Sequence, residues 1–306
     1  MPCRLLPRIA SGGIPHESFR LASRFVLSVA PGLAAAFSLG AADVLAKIII
    51  TSHCDVLTML LFRSVLGLVL MTTWLRLGPK PSPMDTRVRL ISIGIGALFS
   101  VLIFCLFKAI EANDVPTAVL TYFVYPLLTG LVAAATGLER LRWQGVLCAL
   151  AAFVGLAIMI GAHPSGLMLG GIAFAIGAAC CRTGVLILTR AFLVGADARL
   201  TTWYSVIAQL VIFAAVSLFT QTLAPPQTDG GWVALIALSV ATTVAILFVF
   251  VSTVRIGPFR TALLTNFEPM IAVVLSAVAL GEVITPLQSA GSAIMLAALI
   301  GFQLWK

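Results

Sequence analysis

Charge is scarce in this sequence. Of 306 residues, 19 are Lys or Arg and 11 are Asp or Glu, so 10% are charged. A soluble domain carries about a quarter. Sixty per cent of the residues are apolar and the mean hydropathy is +1.11. A soluble fold of this length has no interior large enough for so much apolar surface. Histidine is nearly absent: His16, His53 and His163 are the three, all in the expected tail and loops. No His-Glu-x-x-His, Gly-x-Ser-x-Gly or Walker lysine loop is present. The familiar metal, nucleophile and ATP machinery is therefore missing. The six cysteines (Cys3, Cys54, Cys105, Cys148, Cys180, Cys181) lack zinc or disulfide spacing, and most read as small apolar residues within apolar runs. These absences exclude a disordered chain, a collagen and a disulfide scaffold. They leave a polytopic helical membrane protein.

What is present is a series of long apolar runs, at 25–50, 56–75, 90–110, 115–136, 143–161, 167–189, 200–220, 231–254, 258–280 and 286–305. Each is long enough to cross a bilayer as a helix. The first is too long for a signal-peptide core, so it reads as an uncleaved span behind a basic tail over 1–24. The charges then sort by side. Arg4, Arg8, Arg20, Arg24, Arg76, Lys80, Arg87, Arg89, Arg140, Arg142, Arg190, Arg199, Arg255, Arg260 and Lys306 fall on one side. The opposite loops hold Asp55, Glu111, Asp114, Asp229 and Glu282. The positive-inside rule places both termini in the cytoplasm and requires an even number of spans. A net charge of +8 thus marks topology and not nucleic acid. Trp74, Trp143, Trp203, Trp232 and Trp305 all fall near span ends, as an interfacial belt requires. The connectors 78–89 and 221–230 are polar and Pro-bearing, and carry no site.

The two halves echo each other. Thr117-Ala118-Val119-Leu120-Thr121 matches Thr261-Ala262-Leu263-Leu264-Thr265 at four of five positions. Each stretch leads to a mid-span proline, Pro126 and Pro269, and each proline precedes a glutamate by thirteen residues, Glu139 and Glu282. The register slips by one residue before the prolines. Ala36-Phe37-Ser38-Leu39-Gly40-Ala41-Ala42 similarly echoes 173–179. The expected fold is therefore all-α, with ten transmembrane helices in two inverted five-helix repeats, 25–161 and 162–306. Five spans per half force the second half to enter upside down. That build places a solute site near the midplane between the halves.

The segments 111–121 (Glu-Ala-Asn-Asp-Val-Pro-Thr-Ala-Val-Leu-Thr), Tyr-Pro-Leu-Leu at 125–128 and Gly-Leu-Glu-Arg-Leu at 137–141 resemble the signature of the drug/metabolite transporter superfamily, EamA type. The second half repeats it with Asn266-Phe267-Glu268-Pro269 and Leu280-Gly281-Glu282. Phe62-Arg63 and Lys47 are also similar to the family. The chain departs from the pattern at Leu138, where a glycine is usual, and at Val283-Ile284, where Arg-Leu is usual. The resemblance implies ten spans and movement of small metabolites across a bacterial inner membrane. Export of amino acids or related compounds is the first reading. Import of a vitamin, nucleotide-like or drug-like solute is the alternative within transport, and a channel or intramembrane enzyme the alternatives outside it. No cofactor is expected; the partners are a small solute, the bilayer and, through a carboxylate, a proton.

The candidate site residues are Glu268, Asn266, Thr265, Tyr122, Tyr125, Arg182, Arg63 and Lys47. Glu268 precedes Pro269 in mid-span, where a charge costs about 2.5–3.5 kcal/mol on insertion scales. It binds a solute amine, carries a proton, or pairs with Arg63 or Arg182. Arg63 and Arg182 keep their charge in the membrane and need carboxylates, carbonyls, water or an anionic solute. Arg63 also has a helix-packing reading, and Arg182 could instead pair with Asp43 or snorkel. Lys47 lies one turn beyond Asp43, so an Asp43–Lys47 pair accounts for it without a solute. Lys108 and Glu111 read as an interfacial pair. Tyr122, Tyr125, Thr265 and Asn266 surround the prolines, which leave the carbonyls of Tyr122 and Thr265 without their helical donors. The glycines 170, 177 and 184, and the stripe Gly32, Ala36, Gly40, read as close helix packing.

Overall fold

A computed structural model describes residues 16–113, 115–161, 168–221 and 223–304, with side chains from Val29 to Phe302. Arg4, Arg8, Asp114, His163, Trp305 and Lys306 lie outside the described residues, as does most of the tail expected over 1–24. Among the described residues every regular element is a helix: α1 (His16–Thr51), α2 (Val56–Leu77), α3 (Thr86–Ala112), α4 (Val115–Tyr122), α5 (Tyr125–Ala135), α6 (Trp143–Ile160), α7 (Leu169–Phe192), α8 (Ala198–Thr220), α9 (Asp229–Ile256), α10 (Pro258–Thr265), α11 (Phe267–Leu280) and α12 (Pro286–Leu304). The pairs α4–α5 and α10–α11 each make one broken span. Nine stretches among the described residues are long and apolar enough to cross a membrane, and the apolar part of α12 is somewhat shorter. This is a multi-pass membrane protein. The helix α1 begins at His16, well before the expected apolar run, whose first described membrane-length stretch is Val29–Thr51.

The ends of the helices follow from local chemistry. Asp55 accepts from the Leu57 N–H at 2.9 Å and starts α2. Asp85 accepts from Thr86 and starts α3, and Asp197 accepts from Arg199 and starts α8. Each carboxylate satisfies amide groups that a helix leaves free at its first turn. Asp197 also holds Arg199 at 2.7 Å, which keeps its carboxyl below the usual carboxylate range. The connector residues 223–228 fold over the α1–α2 turn. Ala224 donates to Thr58 Oγ1 at 3.0 Å and Gln227 donates to the Ser52 carbonyl at 3.1 Å.

The helices pack across the halves. The main partners are α1 with α9, α3 with α7 and α8, α2 with α8 and α9, and α6 with α12. The broken spans pack the same way, α10–α11 on α1 and α4–α5 on α7. Contacts set the directions. Gly32 meets Ser252 while Ser52 meets Gly231, so α1 and α9 run antiparallel. Gly32 meets Leu264 and Gly40 meets Glu268, so α1 and the ninth span run parallel. Small residues permit the closest crossings: a Cβ on Gly155 would sit 2.8 Å from the Gly291 carbonyl oxygen, where α6 crosses α12.

The stripe Gly32, Ala36, Gly40 packs as its spacing indicates. A Cβ at Gly32 would lie 2.5 Å from Leu264 Cδ1, and one at Gly40 would lie 2.8 Å from the Glu268 carbonyl oxygen. The glycine face of α7 does not. Gly170 has nothing within 4 Å, and Gly177 and Gly184 meet only Cys105 Sγ and Leu98 Cδ1, each at 3.6 Å. The close approach on α7 is one residue along, at Gly171, against Asn113. There Asn113 accepts from the Met168 N–H at 2.8 Å and occupies the space a side chain would need.

Candidate central cavity

Both mid-span prolines break their helices. The helix stops at Tyr122 and restarts at Tyr125, and stops at Thr265 and restarts at Phe267. Proline has no N–H, so neither Tyr122 nor Thr265 receives the helical bond four residues on. The two breaks meet in the middle of the bundle. Tyr125 Oη and Thr265 Oγ1 are 2.7 Å apart, and Thr265 donates onward to the Ala262 carbonyl at 3.0 Å. Thr129 and Thr183 both donate to the Tyr125 carbonyl, at 2.7 and 3.3 Å. Tyr125 and Thr265 are fully buried, so their hydroxyls hold the breaks together and do not present a face to a solute. Asn266, in the second break, is buried with its side-chain oxygen unpartnered.

One face of α1 shows how the space beside these breaks opens. Gly32, Ala36, Gly40, Asp43, Lys47 and Ile50 share that face by their three- and four-residue spacing. The first three are buried and the last three are exposed. The α1 face toward the ninth span is thus covered as far as Gly40 and accessible beyond it. The ninth span mirrors this. Almost all of α10 is buried, whereas α11 has no buried residue. The accessible stretches of α1 and α11 mark a candidate cavity toward the end of the bundle that holds Thr51 and Leu280.

At the floor of that cavity the structure gathers Asp43 from α1, Glu268 from α11, Tyr122 from α4 and Arg182 from α7. Tyr122 lies within electrostatic reach of Arg182, Glu268 and Asp43, and Asp43 is a direct electrostatic neighbour of Glu268. Arg182 is 5% exposed, with its Nε unpartnered. Its guanidinium carbon stands 5.7 Å from the Tyr125 ring and 5.8 Å from the Phe99 ring. No carboxylate approaches it within the 4.0 Å of an ion pair; the ion pairs among the described residues are Lys47–Glu282, Lys108–Glu111 and Asp197–Arg199. The expected fixed pairs of Glu268 with Arg63 or Arg182, and of Arg182 with Asp43, are therefore not formed.

Two sequence candidates lie away from this floor. Arg63 donates to Gln209 Oε1 at 3.2 Å, in the contact of α2 with α8. Lys47 pairs with Glu282, just past α11, and not with Asp43 on its own helix. It spans the mouth of the cavity between α1 and the α11–α12 connection. Lys108 does pair with Glu111, at 2.6 Å. Asp43 is the cavity residue that spacing missed, because an acid four residues before a lysine reads as its partner. The signal available was its position on the Gly32–Gly40 stripe.

At the opposite end, Glu139 reaches the start of the ninth span. Its Oε2 accepts from the Phe259 N–H at 3.2 Å. Gly257, at φ +96°, leaves the room its carboxylate occupies, and no Cβ fits there. Burial pushes the Glu139 carboxyl up to about 7, opposed by the Phe259 N–H and by Arg260 and Arg190. Arg190 meanwhile donates to the Val254 carbonyl. No group of three or more His, Cys, Asp or Glu suited to a metal occurs among the described residues.

The sequence model of the EamA-like transporter family matches residues 27–161 and again residues 169–303. No curated protein matches the sequence. One solved crystal structure of a protein superposes with a TM-score of 0.75 at 19% sequence identity, over 90% of this chain and 97% of that one. At that identity the likeness is one of fold.

Proposed function

This chain belongs to the EamA-like transporter family, a family of membrane transporters of small solutes, and on that premise we propose that it is a secondary carrier with its solute site at the floor of the α1–α11 cavity. The observation that carries this reading is Arg182: a buried guanidinium between two aromatic rings, without a carboxylate partner, facing two helix breaks at equivalent places in the halves. A fixed cation in the membrane interior is costly, and a solute anion would offset that cost. Asp43 and Glu268 bring the opposite charge to the same space. A site bearing both signs suits amino acids and related compounds. Asn266 and Tyr122 shape it, Tyr125 and Thr265 fix the breaks beneath it, and Arg63 and Lys47 act from its periphery.

Several facts support inverted halves. Exchanging spans one to five for six to ten carries each major helix contact onto another: α1–α9 onto α3–α7, α3–α8 onto α2–α9, and α6–α12 onto itself. Glu139 and Glu282 each follow their proline by thirteen residues, yet Glu139 sits at the start of the ninth span and Glu282 beyond its end. The charge asymmetry favours both termini in the cytoplasm of a bacterial cell, with the cavity open outward. Alternating access then means exchanging access at the Asp43 end of the α1 face for access at its Gly32 end. Release from an outward-opening site agrees with export, and a carboxylate that exchanges its proton in the cavity would couple export to the proton gradient.

The test is counterflow. Metabolites that raise the melting temperature of the purified protein are loaded into proteoliposomes, and labelled solute is added outside. Saturable uptake accelerated by internal solute is expected. Ohmic conductance without acceleration would favour a channel and reject the carrier.

A further inference from the structure

We infer that the carried solute is an amino acid with a second cationic group, its carboxylate against Arg182 and its two cationic groups against Asp43 and Glu268. The inference rests on the cavity being the transport site and adds the charge of what it takes.

The charges around the buried Arg182 decide what the site can take. Arg182 supplies one positive charge, 95% of its surface is covered, and its Nε has no partner. A guanidinium in that setting is matched by a planar carboxylate, which it holds through two parallel hydrogen bonds. Asp43 and Glu268 supply two carboxylates from facing helices, and neither has a Lys or Arg within ion-pair distance. The cations that could have served them are engaged elsewhere: Lys47 with Glu282, and Arg63 with Gln209. With both carboxylates ionised, the one guanidinium leaves the site short of one positive charge. Arg182 is buried, so charge set beside it counts for more than it would in open water.

Each class of solute changes that balance differently. A neutral amino acid brings one charge of each sign and leaves the deficit in place. A dicarboxylate deepens it. A diamine without a carboxylate leaves Arg182 unmatched. A solute with one carboxylate and two cationic groups supplies the missing charge and gives each fixed group a partner. Tyr122, half-buried beside both acids, offers a ring face to an ammonium or guanidinium group.

The experiment uses the full chain in proteoliposomes preloaded with lysine, with labelled lysine outside. The internal solute is then replaced by norleucine, which lacks the ε-ammonium, or by cadaverine, which lacks the carboxylate. Internal lysine should accelerate entry at least tenfold over either. The substitution Asp43→Asn should reduce the preference for lysine over norleucine at least tenfold. Thermal stabilisation of the unmodified protein by the same three compounds gives the order of binding without any variant, and lysine should lead. Norleucine equal to lysine in both measurements would overturn the inference and leave the carrier reading standing. So would an unchanged preference in a well-folded Asp43→Asn protein. If no metabolite at all shows saturable counterflow, the carrier reading fails and this inference fails with it.

Discussion

Lys47, near the end of α1, forms its ion pair with Glu282, beyond the end of α11, although Asp43 stands one turn below it on the same face. The pair joins the two walls of the cavity at its mouth. It is also half-exposed, with side chains at 52% and 45%. Pairs of that kind contribute at most about 1 kcal/mol to stability. Its effect should therefore appear in transport and hardly in folding. Lys47→Gln and Glu282→Gln should each shift the melting temperature in detergent only slightly, yet change the rate of counterflow at least severalfold. The double exchange Lys47→Glu with Glu282→Lys should recover much of the lost rate. No rate change in either single variant would show that the mouth is not held by this pair.

Glycine packing gives a contrast within one protein. Gly155→Ala puts a methyl group 2.8 Å from the Gly291 carbonyl oxygen. Overpacking of this kind costs about 1–3 kcal/mol, so α6 and α12 should separate at a lower temperature. Gly170→Ala meets nothing within 4 Å. There the methyl group only reduces backbone freedom, and stability should hold or rise by up to about 1 kcal/mol. Melting curves of the two variants in the same detergent check the pair.

Glu139 makes stability depend on pH in a definite direction. Its carboxyl is raised from 4.5 to about 7 in the folded protein. Between those values the folded chain holds a proton that the unfolded chain has released. Its contribution is then full below the lower value and is lost as pH rises through the upper one. Glu139→Gln cannot ionise and should flatten that part of the stability profile. Above pH 7 the variant should exceed the parent by about 1–2 kcal/mol, an amount reduced from the full shift because the carboxyl is partly exposed. Glu139→Ala also loses the acceptor for Phe259 and should be less stable than Glu139→Gln at every pH.

Orientation is checked by labelling. Lys80 and Asp229 are both exposed, between α2 and α3 and at the start of α9. In a cysteine-free background, a cysteine at Asp229 should react with an impermeant thiol reagent added outside intact cells, and one at Lys80 should not. The reverse pattern would turn the protein over and place the cavity mouth in the cytoplasm.

The helices were legible because a bilayer imposes length and composition on every span. The breaks at Pro126 and Pro269 were legible because proline removes a donor wherever it sits. Pairing was less so. Asp43 and Lys47 satisfy a local rule, while the contact that forms joins residues 47 and 282, which only the packing of α1 on the ninth span brings together. Thr265 was placed correctly at a break, but its engagement by Tyr125 depends on the other half of the chain. The glycines on α7 failed as a packing signal because spacing gives a face and not what meets it. At Gly171 the partner is Asn113, from the far end of α3.

The central claim is that solute passes through the cavity floored by Asp43, Glu268 and Arg182, and Glu268 at the second break tests it most directly. The measurement is counterflow in proteoliposomes across a series of pH values, for the parent and for Glu268→Gln, with insertion and monodispersity shown to be equal. The account expects the variant to lose at least nine-tenths of the flux, and to lose the pH dependence as well if Glu268 carries the coupled proton. Equal flux at every pH would contradict it.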